Sequence, residues 1–257
     1  MNQSLKIQLG TIILVLALWE VLGRSGLILR EIFPPFSEVM TSLVELLASN
    51  DMWLHIIVSA YEIGWGFAIG CALALLVGAP LGTSDYLYRL FDPLFYYLGA
   101  IPKIILLPIF ILTLGVGVES KIGIAALSAF FPIAVNTALA VREVKPIFVR
   151  AARSLGASRG QIYSKIYLPS TFGAVLSGMR LGLGVAITGA LLAETSVAQA
   201  GLGFRAIEFY AQFRVAEMYA LIFLIFIFAL LLNAALARLI QWTNRYQIGG
   251  DGRAPFS

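Results

Sequence analysis

Residues 150–169 read Arg-Ala-Ala-Arg-Ser-Leu-Gly-Ala-Ser-Arg-Gly-Gln-Ile-Tyr-Ser-Lys-Ile-Tyr-Leu-Pro, a basic segment punctuated by glycine and proline between two long apolar stretches. Its chemistry is that of docking, not of bond making. Just upstream and within it, Phe148, Ala151, Ala152 and Leu155 recur at helical spacing, so one side of a helix is apolar, while Arg150 and Arg153 lie off that side. Gly156 is the natural residue to end this helix. Ser158 is placed to cap a second helix over 159–167, with Ile162 and Ile166 as its apolar stripe, and Leu168-Pro169 to end it. The expected result is a helix–turn–helix knuckle. It is too polar to enter a bilayer, yet it presents apolar residues that need a partner. Anionic headgroups and a cytosolic protein both satisfy that requirement.

The rest of the chain offers little catalytic chemistry. No Gly-x-x-x-x-Gly-Lys-Ser/Thr occurs, so no ATP or other cofactor is expected on this chain by that route, and no metal site is expected. His55 is the only histidine and reads as a headgroup-level residue; Cys71 is the only cysteine and reads as a small buried hydrophobe. Polar residues inside apolar stretches are functional candidates by default, and here these are Asn136, Arg180, Thr188 and Glu194. Arg180 fits either guidance of an anion or a reach back to cytoplasmic headgroups. Asn136 fits an interhelical hydrogen bond, Glu194 an outer loop or gate, and Lys103, between Pro102 and Pro108, an interfacial position.

The elements that must carry these residues follow from composition. Of 257 residues, 60% are hydrophobic and 12% charged, where a soluble domain has about a quarter charged. Residues 63–84, 104–118, 122–141 and 218–237 carry no charge, and about 20 apolar residues suffice for a helix to cross the hydrocarbon. The expected fold is all-α: a polytopic bundle with spans near 8–24, 60–82, 93–115, 120–141, 171–193 and 216–238. Residues 1–248 read as one transmembrane domain and 249–257 as a short disordered tail. The first span reads as retained, since no small-x-small cleavage site follows it.

Lys6, the 142–170 loop (Arg142, Lys145, Arg150, Arg153, Arg159, Lys165) and the tail (Arg238, Arg245, Arg253) fall on one side of a six-span chain. The positive-inside rule makes that side cytoplasmic, with both termini there, and it accounts for the net charge of +4 without nucleic acid. Residues 25–59 do not read as a span. Phe33-Pro34-Pro35 is a break, and Val39, Leu43, Leu46 and Leu47 mark an amphipathic helix capped by Ser37 on the outer surface. Trp53, Trp65 and Tyr96-Tyr97 read as interface anchors. Gly66/Gly70, Gly78/Gly82 and Gly178/Gly182 repeat at four-residue spacing, which fits close helix packing within one bundle or, as the alternative, contacts between two copies.

From Ala151-Ala152 through Gly156 to Ile166, Leu168 and Pro169, the spacing resembles the cytoplasmic loop of permease subunits of binding-protein-dependent ABC importers. Pro34-Pro35-Phe36-Ser37-Glu38-Val39, the stretch Ile101–Phe110, Gly115–Lys121, Gly178–Leu181, and Glu194 followed by Gly201-Leu202-Gly203 are similar to a subgroup serving nitrate, sulfonate, taurine and bicarbonate uptake, with some members carrying thiamine-precursor pyrimidines. The leading Glu of the family loop is Arg150 here. The resemblance implies a permease of the bacterial inner membrane, used as a homodimer among membrane lipids. Its partners would be two cytosolic ATPases, which hold ATP and magnesium, and an extracytoplasmic solute-binding protein. Arg150, Ala151, Ala152, Leu155, Gly156, Ile162, Ile166, Leu168 and Pro169 would couple to the ATPase. A small anion is the expected solute, with a neutral or cationic pyrimidine, or an ATPase-independent secondary transporter, as the alternatives.

Overall fold

A computed structural model of the chain describes residues 3–245; the tail expected over 249–257 lies outside the described residues. Within them every regular element is helical. In chain order these are α1 (Gln3–Arg24), α2 (Phe36–Ala48), α3 (Asn50–Thr83), α4 (Asp85–Ala100), a 3-10 turn (Lys103–Leu106), α5 (Leu107–Leu114), α6 (Val118–Arg142), α7 (Pro146–Ser154), α8 (Arg159–Ile162), a π-helical turn (Tyr163–Tyr167), α9 (Leu168–Ser196), α10 (Leu202–Ala211) and α11 (Val215–Arg245). Among the described residues, five helical stretches are long and apolar enough to cross a membrane: Ile7–Arg24, Asn50–Thr83, Val118–Arg142, Arg159–Ser196 and Val215–Ile240. The sixth expected span, 93–115, is not one rod. It is a bent pair, Asp85–Ala100 and Lys103–Leu114, turned by 88°.

The chain divides into two compact units. One holds the described residues from Ala60 to Ala193 and from Ala229 onward. Its core is α6, which buries Ile124, Ala125, Ala129, Ile133, Ala134 and Ala138 among others. Small residues let neighbouring backbones reach it. A Cβ added at Gly70 would stand 2.6 Å from the Ala126 carbonyl oxygen, and one at Gly78 would stand 2.6 Å from that of Ala134. Gly66 and Gly82 extend the same seam along α3, and Gly178 and Gly182 make a second one from α9 onto Asn136 and Ile133 of α6. α4 reaches α6 through Phe95 against Phe130 and Phe131, and Leu107 of α5 packs with Ile124.

The other unit holds the described residues up to Ser59 together with Glu194–Phe228. Trp19 gathers Phe33, Phe36 and Tyr219 around its ring and donates its Nε1–H to the Pro34 carbonyl at 3.0 Å. α2 buries Val39, Leu43 and Leu46 as its spacing predicts, but Leu47, read as part of the same stripe, is exposed. Ser37 is not its N-cap, however. The helix begins one residue earlier, behind the extended Pro35, and the Ser37 N–H and hydroxyl both donate to the Glu20 carboxylate at 2.9 Å.

At the start of α10, three successive backbone N–H groups that no helix bond can reach are satisfied by side chains. Gly201 N–H donates to His55 Nδ1 (3.1 Å), Leu202 N–H to Ser59 Oγ (2.8 Å), and Gly203 N–H to Glu194 Oε2 (2.6 Å). The Ser59 hydroxyl donates in turn to Glu194 Oε1 at 2.6 Å. Gly201 has φ +115°, and a Cβ there would meet the Glu194 carboxylate, so only glycine fits. His55, expected at headgroup level, is 5% exposed. Asp51 stands 3.7 Å from its Nε2 and is bridged at 2.9 Å to Arg205 of α10.

Two measurements check this packing. Gly78→Leu should destabilise the subunit by about 3 kcal/mol or prevent its accumulation, because the obstacle is backbone. Gly64→Leu, on the same helix with open space around it, should leave the thermal midpoint unchanged. Glu194→Ala should cost about 2 kcal/mol in thermal unfolding, since it strands the Gly203 N–H and the Ser59 hydroxyl in a dry site.

Candidate functional site

The segment that the sequence marks for docking forms the expected knuckle. Pro146 opens α7 at a position where a missing N–H costs nothing. Its end is a Schellman turn: Ala157 N–H donates to the Ala152 carbonyl and Gly156 N–H to that of Arg153, both at 3.0 Å, with Gly156 at φ +77°. Ser158 then caps α8 in a reciprocal box with Gln161, at 3.3 Å and 2.8 Å.

Beyond Ile162 the expected second helix does not stop at Leu168-Pro169. The backbone widens into the π turn over Tyr163–Tyr167, Leu168 N–H donates to the Tyr163 carbonyl five residues back, and α9 continues. Proline lacks an N–H and crowds the carbonyl four residues before it. A turn widened by one residue accommodates both demands, so Pro169 lies inside the first turn of α9 and ends nothing.

Within the knuckle, the buried residues are Val149 and Ile162. The stripe that the sequence makes apolar points elsewhere. Phe148, Ala151 and Leu155 are exposed, Leu155 to 88%, and Ala152 is half-buried. Arg150, Leu168 and Pro169 are exposed and Ile166 is half-buried. Of the nine residues read as a coupling surface, Ile162 alone packs fully inside this chain.

Asn136, Arg180 and Thr188 share no hydrogen bond or ion pair among the described residues, and Glu194 belongs to the other compact unit. Asn136 is half-buried in α6, and its Nδ2 donates to the Pro132 carbonyl of its own helix at 2.7 Å, not across to a neighbour. Thr188 is exposed on α9 and donates to Gly184 at 3.1 Å. Glu194 is 1% exposed and accepts from Ser59 and Gly203. Arg180 is exposed and has no ion pair among the described residues. It lies two residues past Gly178, whose added Cβ would stand 2.7 Å from Asn136 Cβ.

Sequence reasoning read Lys103 as interfacial and did not foresee the bend that carries it. It opens the 3-10 turn at the 88° bend between α4 and α5. Its Nζ donates to the Gly99 carbonyl one turn back and stands 4.9 Å from the centroid of the Phe131 ring. The signal available in the sequence was Ile101-Pro102: the residue before a proline leaves the helical region, which ends α4 there.

Comparisons with known proteins agree with one another. Residues 66–246 match the model of the binding-protein-dependent transport system inner membrane component family. The putative aliphatic sulfonates transport permease protein SsuC of Bacillus subtilis (strain 168) is 29% identical over 91% of this chain and 86% of its own. The taurine transport system permease protein TauC of Escherichia coli (strain K12) is 30% identical over 96% of this chain and 93% of its own. The inward-facing MetNI methionine ABC transporter structure shares the fold, with a TM-score of 0.61 over 79% of this chain and 96% of the compared one at 22% identity. This chain belongs to the binding-protein-dependent transport system inner membrane component family, and is a multi-pass permease subunit of an ABC importer.

Proposed function

We propose that two copies of this chain form the passage of an importer for a small anion of the sulfonate, taurine or nitrate type. Two cytosolic ATPases bind the ATP and magnesium, and an extracytoplasmic binding protein delivers the solute. The observation that carries the coupling role is Leu155. It is a leucine at the tip of a rigid two-turn knuckle, almost fully exposed, beside exposed Phe148 and Ala151. A side chain that buries nothing within its own chain, on a turn fixed by a Schellman motif and a capping box, is built to be buried by a partner. The lack of any phosphate-binding glycine loop in the sequence supports leaving nucleotide hydrolysis to that partner.

The distribution of Lys and Arg supports a cytoplasmic knuckle with both termini on the same side. Arg150, Ala151, Ala152, Leu155 and Gly156 form the docking surface, with Ile162 holding it from within. Ile166, Leu168 and Pro169 make the π-widened passage into α9, which carries any displacement of the knuckle into the span. Closure of the ATPase pair on ATP draws two knuckles together, and the spans respond as packed rigid bodies with two arrangements. The names of the similar permeases support a sulfonate-class solute. Arg180, exposed and without an ion pair among the described residues, supports an anion as well. Asn136, Thr188 and Glu194, engaged by their own surroundings, shape the passage without holding the solute.

Leu155→Asp separates docking from folding. In the complex reconstituted in lipid, it should leave the subunit's thermal midpoint unchanged while ATPase co-purification and uptake fall by about a hundredfold, the effect of about 3 kcal/mol lost at a buried interface anchor. Wild-type uptake by this variant would refute the docking role. For the solute, ATP hydrolysis by the complex should rise when the binding protein carries taurine, an alkanesulfonate or nitrate. A response confined to neutral or cationic solutes would overturn the anion reading.

A further inference from the structure

We infer that Lys103, at the bend between α4 and α5, is the anion-selecting charge of the translocation passage; the inference rests on the permease reading and deepens its solute class. The argument begins with depth. The Lys103 ammonium stands 4.9 Å from the centre of the Phe131 ring, and Phe131 lies near the middle of the 25-residue α6. At 1.5 Å per residue the ends of α6 are roughly 20 Å and 16 Å away. A hydrocarbon core of about 30 Å therefore places the charge near its midplane, beyond the reach of a lysine stem toward either surface.

A cation at that depth is costly unless it is paired or wetted. Lys103 is not paired with an acid. Its nitrogen donates to the Gly99 carbonyl and lies over an aromatic face, and no carboxylate comes within 4.0 Å of it among the described residues. It is half-buried, with exposed Ile101, Pro102 and Ile105 around it. The backbone there is broken as well. Ile101 and Pro102 leave the helical region, so the bend interrupts the helical hydrogen-bond ladder. Non-helical backbone at membrane depth is tolerated where it lines a water-filled cavity or is covered by protein. The uncompensated charge and the open ladder share one solution: this bend faces the aqueous passage. A fixed positive charge on a broken helix at the midplane favours anions and repels cations. Carboxylate, sulfonate and nitrate groups share the chemistry it recognises, and two copies of the chain would place two such charges along the passage.

The test reads the charge without knowing the solute. In the reconstituted complex, Cys71 (the only native cysteine) is replaced by alanine and Gly99 by cysteine. A Cβ at Gly99 meets only Phe131 Cβ, at 3.9 Å, so the site accepts the new side chain, and the Gly99 carbonyl already receives the Lys103 ammonium. Sulfonatoethyl and trimethylammonioethyl methanethiosulfonates then label the single thiol of this Gly99→Cys variant. The anionic reagent should react about tenfold faster than the cationic one, and Lys103→Met should abolish that preference while Lys103→Arg keeps it. Reaction with neither reagent would place the bend in lipid and overturn the inference, as would a preference that survives Lys103→Met. Uptake of taurine by the Lys103→Met complex should fall about tenfold, with ATP hydrolysis stimulated by the loaded binding protein intact. Loss of that stimulation in the unmutated complex, with the labelling preference retained, would instead remove taurine as the solute and leave the charge of the passage standing.

Discussion

The unit built on α6 depends on how closely α3 and α9 approach that helix. In lipid there is no hydrophobic gain from hiding one apolar helix against another, so association rests on packing. Gly70 and Gly78 let the α3 backbone come so near α6 that a single added carbon would overlap a carbonyl oxygen, and Gly178 and Gly182 do the same from α9 against the Asn136 and Ile133 side chains. Other contacts of that unit are made on the same helix: the rings of Phe130 and Phe131 that meet Phe95, the seat of Leu107 against Ile124, and the Lys103 ammonium over the Phe131 ring. α6 can accept so many neighbours because its own buried surface is largely alanine and serine, which lets the surrounding backbones come close.

Polar groups in this protein are sorted by what satisfies them. His55, Ser59 and Glu194 are buried, and each is used up on the backbone of the α10 start. Asn136 and Thr188 turn their donors back onto carbonyls of their own helices. Lys103 and Arg180 have no acid within 4.0 Å among the described residues. Chemistry offered to a passing solute can come only from groups that the fold has not already consumed, and that distinction was invisible until partners could be assigned.

What was legible in the sequence was what local pattern controls. Charge-free runs marked most of the spans, the spacing of Phe148, Ala151, Ala152 and Leu155 marked the knuckle's apolar stripe, and Gly156 and Ser158 marked its turn and its second cap. What escaped was set by interactions remote in the chain or by competition between local rules. Leu168-Pro169 satisfied the rule for a helix end, but a π turn offered another way to house the proline. Ser37 had the right type for a cap, yet Glu20, seventeen residues away, claimed its hydroxyl. The link from Ser59 to Glu194 spans 135 residues. Asp51, His55 and Ser59 do recur at four-residue spacing on α3, a polar stripe in an apolar helix that foreshadowed the buried cluster without naming its partners.

The exposure of Leu155 has a consequence for the life of the subunit in the cell. A chain newly inserted and not yet assembled carries an oily tip on a stiff basic arm, the kind of surface that chaperones hold and membrane proteases seize. On the proposed coupling role, the abundance of the subunit is tied to the supply of the partner that covers that tip, and clearance of orphans as well as synthesis sets the stoichiometry of the assembled machine.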